Sequence, residues 1–104
     1  MALFDVYENT NSQTKKSAPY LLDVQADLLA SMTTRVVVPL VTISAMGKPA
    51  KHLNPQFKIK RTALVMSTAE LAGVDMQVLG EKVASLKEHR SEIIAALDFL
   101  FTGF

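Results

Sequence analysis

Apolar and polar positions alternate along most of the chain and change period only near its end. Residues 3–7 (LFDVY) set Asp5 between apolar neighbours and predict a first strand; residues 18–24 (APYLLDV) predict a second. Between them, residues 8–17 (ENTNSQTKKS) hold no apolar side chain, which predicts a solvated, mobile loop closing a long hairpin. Residues 25–32 read as a turn carrying Leu28 and Leu29. Residues 33–43 (TTRVVVPLVTI) are the densest β-branched run and the strongest strand signal. Pro39 inside that run cannot donate to a ladder, so a bulge, a bend or an edge is expected there. A long bent strand of this kind can serve two sheets. Residues 46–55, with Gly47, Pro49 and Pro55, read as loop. Residues 57–59 and 63–66 predict two short strands around a turn at 60–62. Residues 68–73 suggest a helical turn, and the alternating residues 74–79 (VDMQVL) a sixth strand.

The end of the chain follows the helical period. Ser85 and Glu88 have the spacing of a capping box. From Leu86, apolar residues recur at Ile93, Ile94, Leu97, Leu100 and Phe101, within about 120° of a helical wheel, and Gly103 stands where a helix would stop. A C-terminal helix of about 16–18 residues is expected. Five or six strands followed by one helix make an α+β protein with an antiparallel sheet or a small barrel. Its 104 residues suit a single domain spanning 1–104.

Composition narrows the chemistry. With 49% hydrophobic residues the chain is an ordinary globular sequence, and its formal charge of +1 argues against a dedicated nucleic-acid binder. The absence of cysteine excludes disulfides, thiolate metal sites and a cysteine nucleophile, and two histidines, His52 and His89, make a histidine-rich zinc site unexpected. No apolar run reaches the roughly 20 residues of a membrane span, and the first residues lack the pattern of a secretory leader, so a cytoplasmic protein is expected. No nucleophile elbow, paired histidine motif or phosphate loop is present, which disfavours an enzyme.

Two segments stand out. After Asp98 the chain reads Phe99-Leu100-Phe101-Thr102-Gly103-Phe104 without a charge, and Phe99 lies off the apolar stripe, on the face of Glu88, Glu92 and Ala95. Such an end either folds back on its own core or forms a self-association or partner surface. Residues 28–69 hold no Asp or Glu but contain Arg35, Lys48, Lys51, Lys58, Lys60 and Arg61, either a set of solvated turns or a landing surface for an acidic partner or DNA held by another protein.

Several stretches in order resemble the CcdB family of bacterial toxins. They are Phe4-Asp5-Val6-Tyr7, the DVQ-small-D-aliphatic-aliphatic run from Asp23 to Leu29, Arg35-Val36-Val37-Val38-Pro39-Leu40, Val78-Leu79-Gly80-Glu81-Lys82-Val83, and Asp98 to Phe104. The resemblance implies an SH3-like small antiparallel barrel with a long C-terminal helix, assembled as a homodimer. It implies a non-enzymatic toxin, without cofactor or metal, that binds the DNA gyrase A subunit and traps the cleaved gyrase–DNA complex. It also implies a CcdA-like antitoxin, with which the toxin represses its operon, DNA being touched only through gyrase or antitoxin. Carried over by position, the gyrase contacts are Leu28, Leu29, Asp98, Phe101, Thr102, Gly103 and Phe104, and the antitoxin surface includes Tyr7, Glu8, Asn9 and Thr10. The chain departs from the family pattern at Thr102, where a tryptophan is usual, at Asp98, where an Asn is expected, and at Phe104, where an Ile is expected. An endoribonuclease of the same barrel, with Arg35 and His52 as candidate residues, and an antitoxin-binding decoy are the alternative readings.

Overall fold

The structure, a computed structural model, describes residues 2–103. Its strands are β1 (Asp5–Asn9), β2 (Tyr20–Asp23), β3 (Thr34–Thr42), β4 (Gln56–Ile59), β5 (Thr62–Met66), β6 (Ala72–Asp75) and β7 (Leu79–Ser85). A one-turn helix, α1 (Ile43–Met46), follows β3, and α2 (Arg90–Thr102) closes the fold. The strands form one antiparallel sheet in the order β4-β5-β3-β2-β1-β7, with β6 beside the first half of β3.

The β-branched run is the spine of this sheet. One edge of β3 pairs with β2, while the other is divided: Thr34–Val37 pair with β6, and Leu40–Thr42 pair with β5. Pro39 sits at the division. Its carbonyl accepts the Ser67 amide at 2.9 Å, and a strand residue points its nitrogen and oxygen to the same edge. The missing N–H therefore faces the turn joining β5 to β6, where no ladder bond is lost. The irregularity expected at the proline is a change of partner along this edge of β3.

Alternate strand residues and one stripe of α2 make the main core. Val6, Leu22, Val38, Leu40, Phe57, Ile59, Leu64 and Met66 pack with Ile93 and Ala96 of the helix. Ile94 and Leu97 border this core and Leu100 is half-buried beyond it, so the predicted stripe reaches open solvent at Phe101. Two smaller clusters cover the other face of the sheet, one around Tyr7, Leu21, Val37 and Leu79, the other around Ala18, Val41 and Val65. Among the described residues no helix is long and apolar enough to cross a membrane.

Four local expectations are corrected. The predicted sixth strand breaks, because the Asp75 carboxylate accepts the Gln77 amide at 2.9 Å and starts a 3₁₀ turn at Met76–Val78; the strand is β6, before it. The polar segment after that turn forms β7, held to β1 through two register shifts. There Gly80 lies against Glu8, whose Cβ would stand 3.0 Å from any Cβ added at position 80. The capping box is half used: Ser85 Oγ accepts the Lys87 amide at 3.3 Å, but Ser85 belongs to the ladder opposite Asp5, and a 3₁₀ turn (Lys87–His89) leads into α2. Gly103 ends the helix in the left-handed region, its amide bonded to the Phe99 carbonyl at 2.9 Å.

The fourth correction concerns residues 10–17, which close on Asn9. Its side-chain amide donates to Thr14 Oγ1 at 3.0 Å and to the Ala18 carbonyl at 2.8 Å, and its Oδ1 accepts the Asn11 amide at 3.0 Å. The polar residues that suggested a mobile loop are the ones that build its turns.

Ile93 is fully buried between the helix and the sheet. Ile93→Ala is expected to lower unfolding free energy by about 2–5 kcal/mol, read by denaturant titration.

Candidate functional site

Leu28 and Leu29 lie on a 3₁₀ turn, Asp27–Leu29, between β2 and β3. Leu28 is 96% exposed, Leu29 48% and the nearby Met32 47%. Three apolar side chains held out in water on one short connection are the form of a contact surface.

This turn is fixed from below. Asp23, the last residue of β2, and Arg35, near the start of β3, have fully buried side chains and form an ion pair through the guanidinium Nε and Nη2 and the carboxylate Oδ2. Asp23 Oδ1 accepts the Gln25 amide at 2.9 Å, which turns the chain out of the strand. The Gln25 side chain then spans the connection: its Oε1 accepts the Val36 amide at 3.0 Å, and its Nε2 donates to the Leu29 carbonyl at 3.0 Å. Asp27 Oδ1 accepts the Leu3 amide at 2.8 Å. The leucines are thus clamped to β3 and to the N-terminal segment at once.

The polar layer continues beneath β1. The Tyr7 hydroxyl donates to Asp5 Oδ2 at 3.4 Å, and Lys82 Nζ lies 3.2 Å from Asp5 Oδ1. Burial pushes the Tyr7 phenol up to about 12, with Asp5 and then Asp23 adding to the shift. Burial also pushes the Asp23 carboxyl up, against the pull of the Gln25 amide and Arg35.

The second apolar surface is the end of α2. Phe101 is 68% exposed, and Asp98, Thr102 and Gly103 are exposed beside it. The Thr102 hydroxyl donates to the Asp98 carbonyl at 2.7 Å, so at this position it satisfies the helix end. Phe104 lies outside the described residues. Phe99, by contrast, is half-buried, its ring 6.1 Å from that of His52 in the loop before β4. Among the described residues, no hydrogen bond joins the leucine turn to the helix end.

The four residues of the expected antitoxin surface divide by exposure. Tyr7 and Asn9 are buried, Asn9 in organising its own loop, whereas Glu8 and Thr10 are exposed beside an open groove shared with Lys15, Lys16 and Tyr20. Arg35 is corrected outright: it is not a surface cation, since its side chain is fully buried with Nε and Nη2 on Asp23. His52 stands on another loop, against Phe99. Sequence reasoning missed Met32 and the Asp23–Arg35–Gln25 network. The signal for the network was present, because a lone Asp and a lone Arg interrupt two apolar strands, and such charges are buried in pairs.

The family model described as CcdB protein matches residues 3–103. Among solved structures the chain is similar to an endoribonuclease in complex with its cognate antitoxin from a mycobacterial species. They share 14% identity and a TM-score of 0.76, covering 96% of this chain and 93% of that one. At that identity the likeness is one of fold.

Two predictions follow from the buried layer. Arg35→Met leaves the Asp23 carboxylate buried without its partner and should destabilise by about 3–5 kcal/mol at neutral pH, whereas adding Asp23→Leu should recover most of the loss, both read by denaturant titration. The Tyr7 phenol is stabilised in its neutral form, so that contribution is complete below pH ~10 and is lost as pH rises to about 12. Unfolding free energy should fall by about 2–3 kcal/mol across that window, and Tyr7→Phe should flatten the fall.

Proposed function

The chain belongs to the CcdB family, and from that premise we propose that it is the toxin of a toxin–antitoxin pair, acting by binding to the DNA gyrase A subunit and trapping its cleaved complex with DNA. The observation that carries this reading is the exposure of Leu28, Leu29 and Phe101 at the positions the family resemblance assigns to gyrase. A toxin of this kind performs no chemistry of its own. Gyrase cuts the DNA, and the toxin shifts the population toward the cut state by binding it better than the others.

The geometry suits that task. Leucines on a clamped turn lose little freedom on contact, which favours affinity. A homodimer supplies two such turns and two helix ends. With a threonine in place of the family's tryptophan, the aromatic contribution at the helix end falls to Phe101 and to Phe104. The antitoxin is a CcdA-like chain that docks beside Glu8 and Thr10 and supplies the DNA contact when the pair represses its operon. Catalysis is disfavoured by the same structure: Arg35 is consumed by Asp23, and His52 packs against Phe99 on a separate loop.

Purified protein added to gyrase and supercoiled plasmid should yield linear DNA after detergent and protease treatment. Leu28→Ala with Leu29→Ala should reduce gyrase affinity tenfold or more while changing stability by about 0.5 kcal/mol or less per site. Thr102→Trp should increase the linear product. Unchanged plasmid together with rapid loss of cellular messenger RNA on expression would establish the endoribonuclease reading instead.

A further inference from the structure

The acid-free middle of the chain has five cations left once Arg35 is removed from it: Lys48, Lys51, Lys58, Lys60 and Arg61, all exposed. The ion pairs among the described residues are Arg35–Asp23, Lys82–Asp5 and His89–Glu92, so none of the five is neutralised by a carboxylate. Glu92, which lines a shallow groove together with Lys51, is engaged by His89 Nδ1 at 3.0 Å.

Three of the cations share one hairpin. Ile59 pairs with Thr62, leaving Lys60 and Arg61 as a two-residue turn with φ of 48° and 70°. Positive φ at both positions defines the turn type that Asn-Gly fills most easily. Lysine and arginine carry a steric cost there, and the chain places two long cations at the tip regardless. Lys58 points outward from β4, opposite the small and uncharged Ala63, while Phe57 and Ile59 anchor the strand in the core. The cations therefore stand on a rigid support.

We propose that this hairpin is a contact surface for the phosphate backbone of duplex DNA. Two absences point to phosphate rather than to a protein or to unstacked bases. No large hydrophobic residue is exposed between positions 48 and 63, so the patch lacks the apolar anchor of a protein interface. Among the described residues the hairpin itself carries no exposed aromatic ring for bases to stack upon, since Phe57 is buried. Cations alone fit the sequence-independent contacts that position a protein on a duplex. With a net charge of only +1 the binding is weak and strongly salt-dependent.

The test needs no gyrase, so its outcome is independent of the reading above. Fluorescence anisotropy of a short labelled duplex, titrated with the full chain across a salt series, should show log affinity falling linearly with log salt. Lys58→Gln/Lys60→Gln/Arg61→Gln should reduce that slope by about 3 and weaken low-salt binding roughly tenfold or more. Lys60→Asn/Arg61→Gly suits the turn better, so it should raise the melting temperature and still weaken DNA binding, which separates charge from folding. The proposal is overturned by an unchanged slope in these variants, by no duplex binding at low salt, by tighter binding to single-stranded RNA of the same length, or by polyglutamate competing as well as DNA of equal charge.

Discussion

The presentation of the leucine turn rests on one buried charge pair, Asp23 with Arg35. Two ions taken out of water are costly, and such a pair seldom adds stability over a packed apolar one. What it adds here is direction. Asp23 accepts from Arg35 Nε and Nη2 and from the Gln25 amide, and Gln25 in turn spans to Val36 and Leu29, which fixes how the chain leaves β2. The leucines cannot fold back into the apolar interior without breaking this layer. The motif that carries the family resemblance is thus in large part the support beneath a proposed contact surface, to which only its last two residues contribute large apolar side chains.

The helix solves the same problem by another route. Ile93 and Ala96 are fully buried, and the core ends at Leu97, one turn before the helix does. Beyond that point Phe101 has no interior to enter. Both exposed apolar groups are therefore carried by elements whose folding is secured elsewhere, which suits the contact role proposed for them. The basic hairpin has the same construction, with Phe57 and Ile59 holding a tip that would otherwise be free.

Strong periodicity was legible and compensation was not. The strands rich in Val, Ile and Leu, the helix, and an irregularity at Pro39 could be read because each is a local pattern with a local cause. β7 escaped because GEKVAS carries little apolar alternation, and its place is set by pairing with β1 from the other end of the chain. The break after Asp75 escaped because a side chain competed with the ladder for the backbone, which hydrophobic patterning cannot register. Leu28 and Phe101, named from the resemblance, are exposed as a proposed contact surface requires, whereas Arg35 looked like one more surface cation until the structure set it against Asp23.

The position of β1 has a consequence for how such a chain is born. Its two neighbours are β2, which follows it directly, and β7, which is made almost last. The second edge of the first strand must wait until most of the polypeptide has emerged, and pairings between distant segments form slowly. The helix that carries Phe101 comes later still. A copy halted before α2 therefore lacks both the second partner of its first strand and the exposed ring of Phe101.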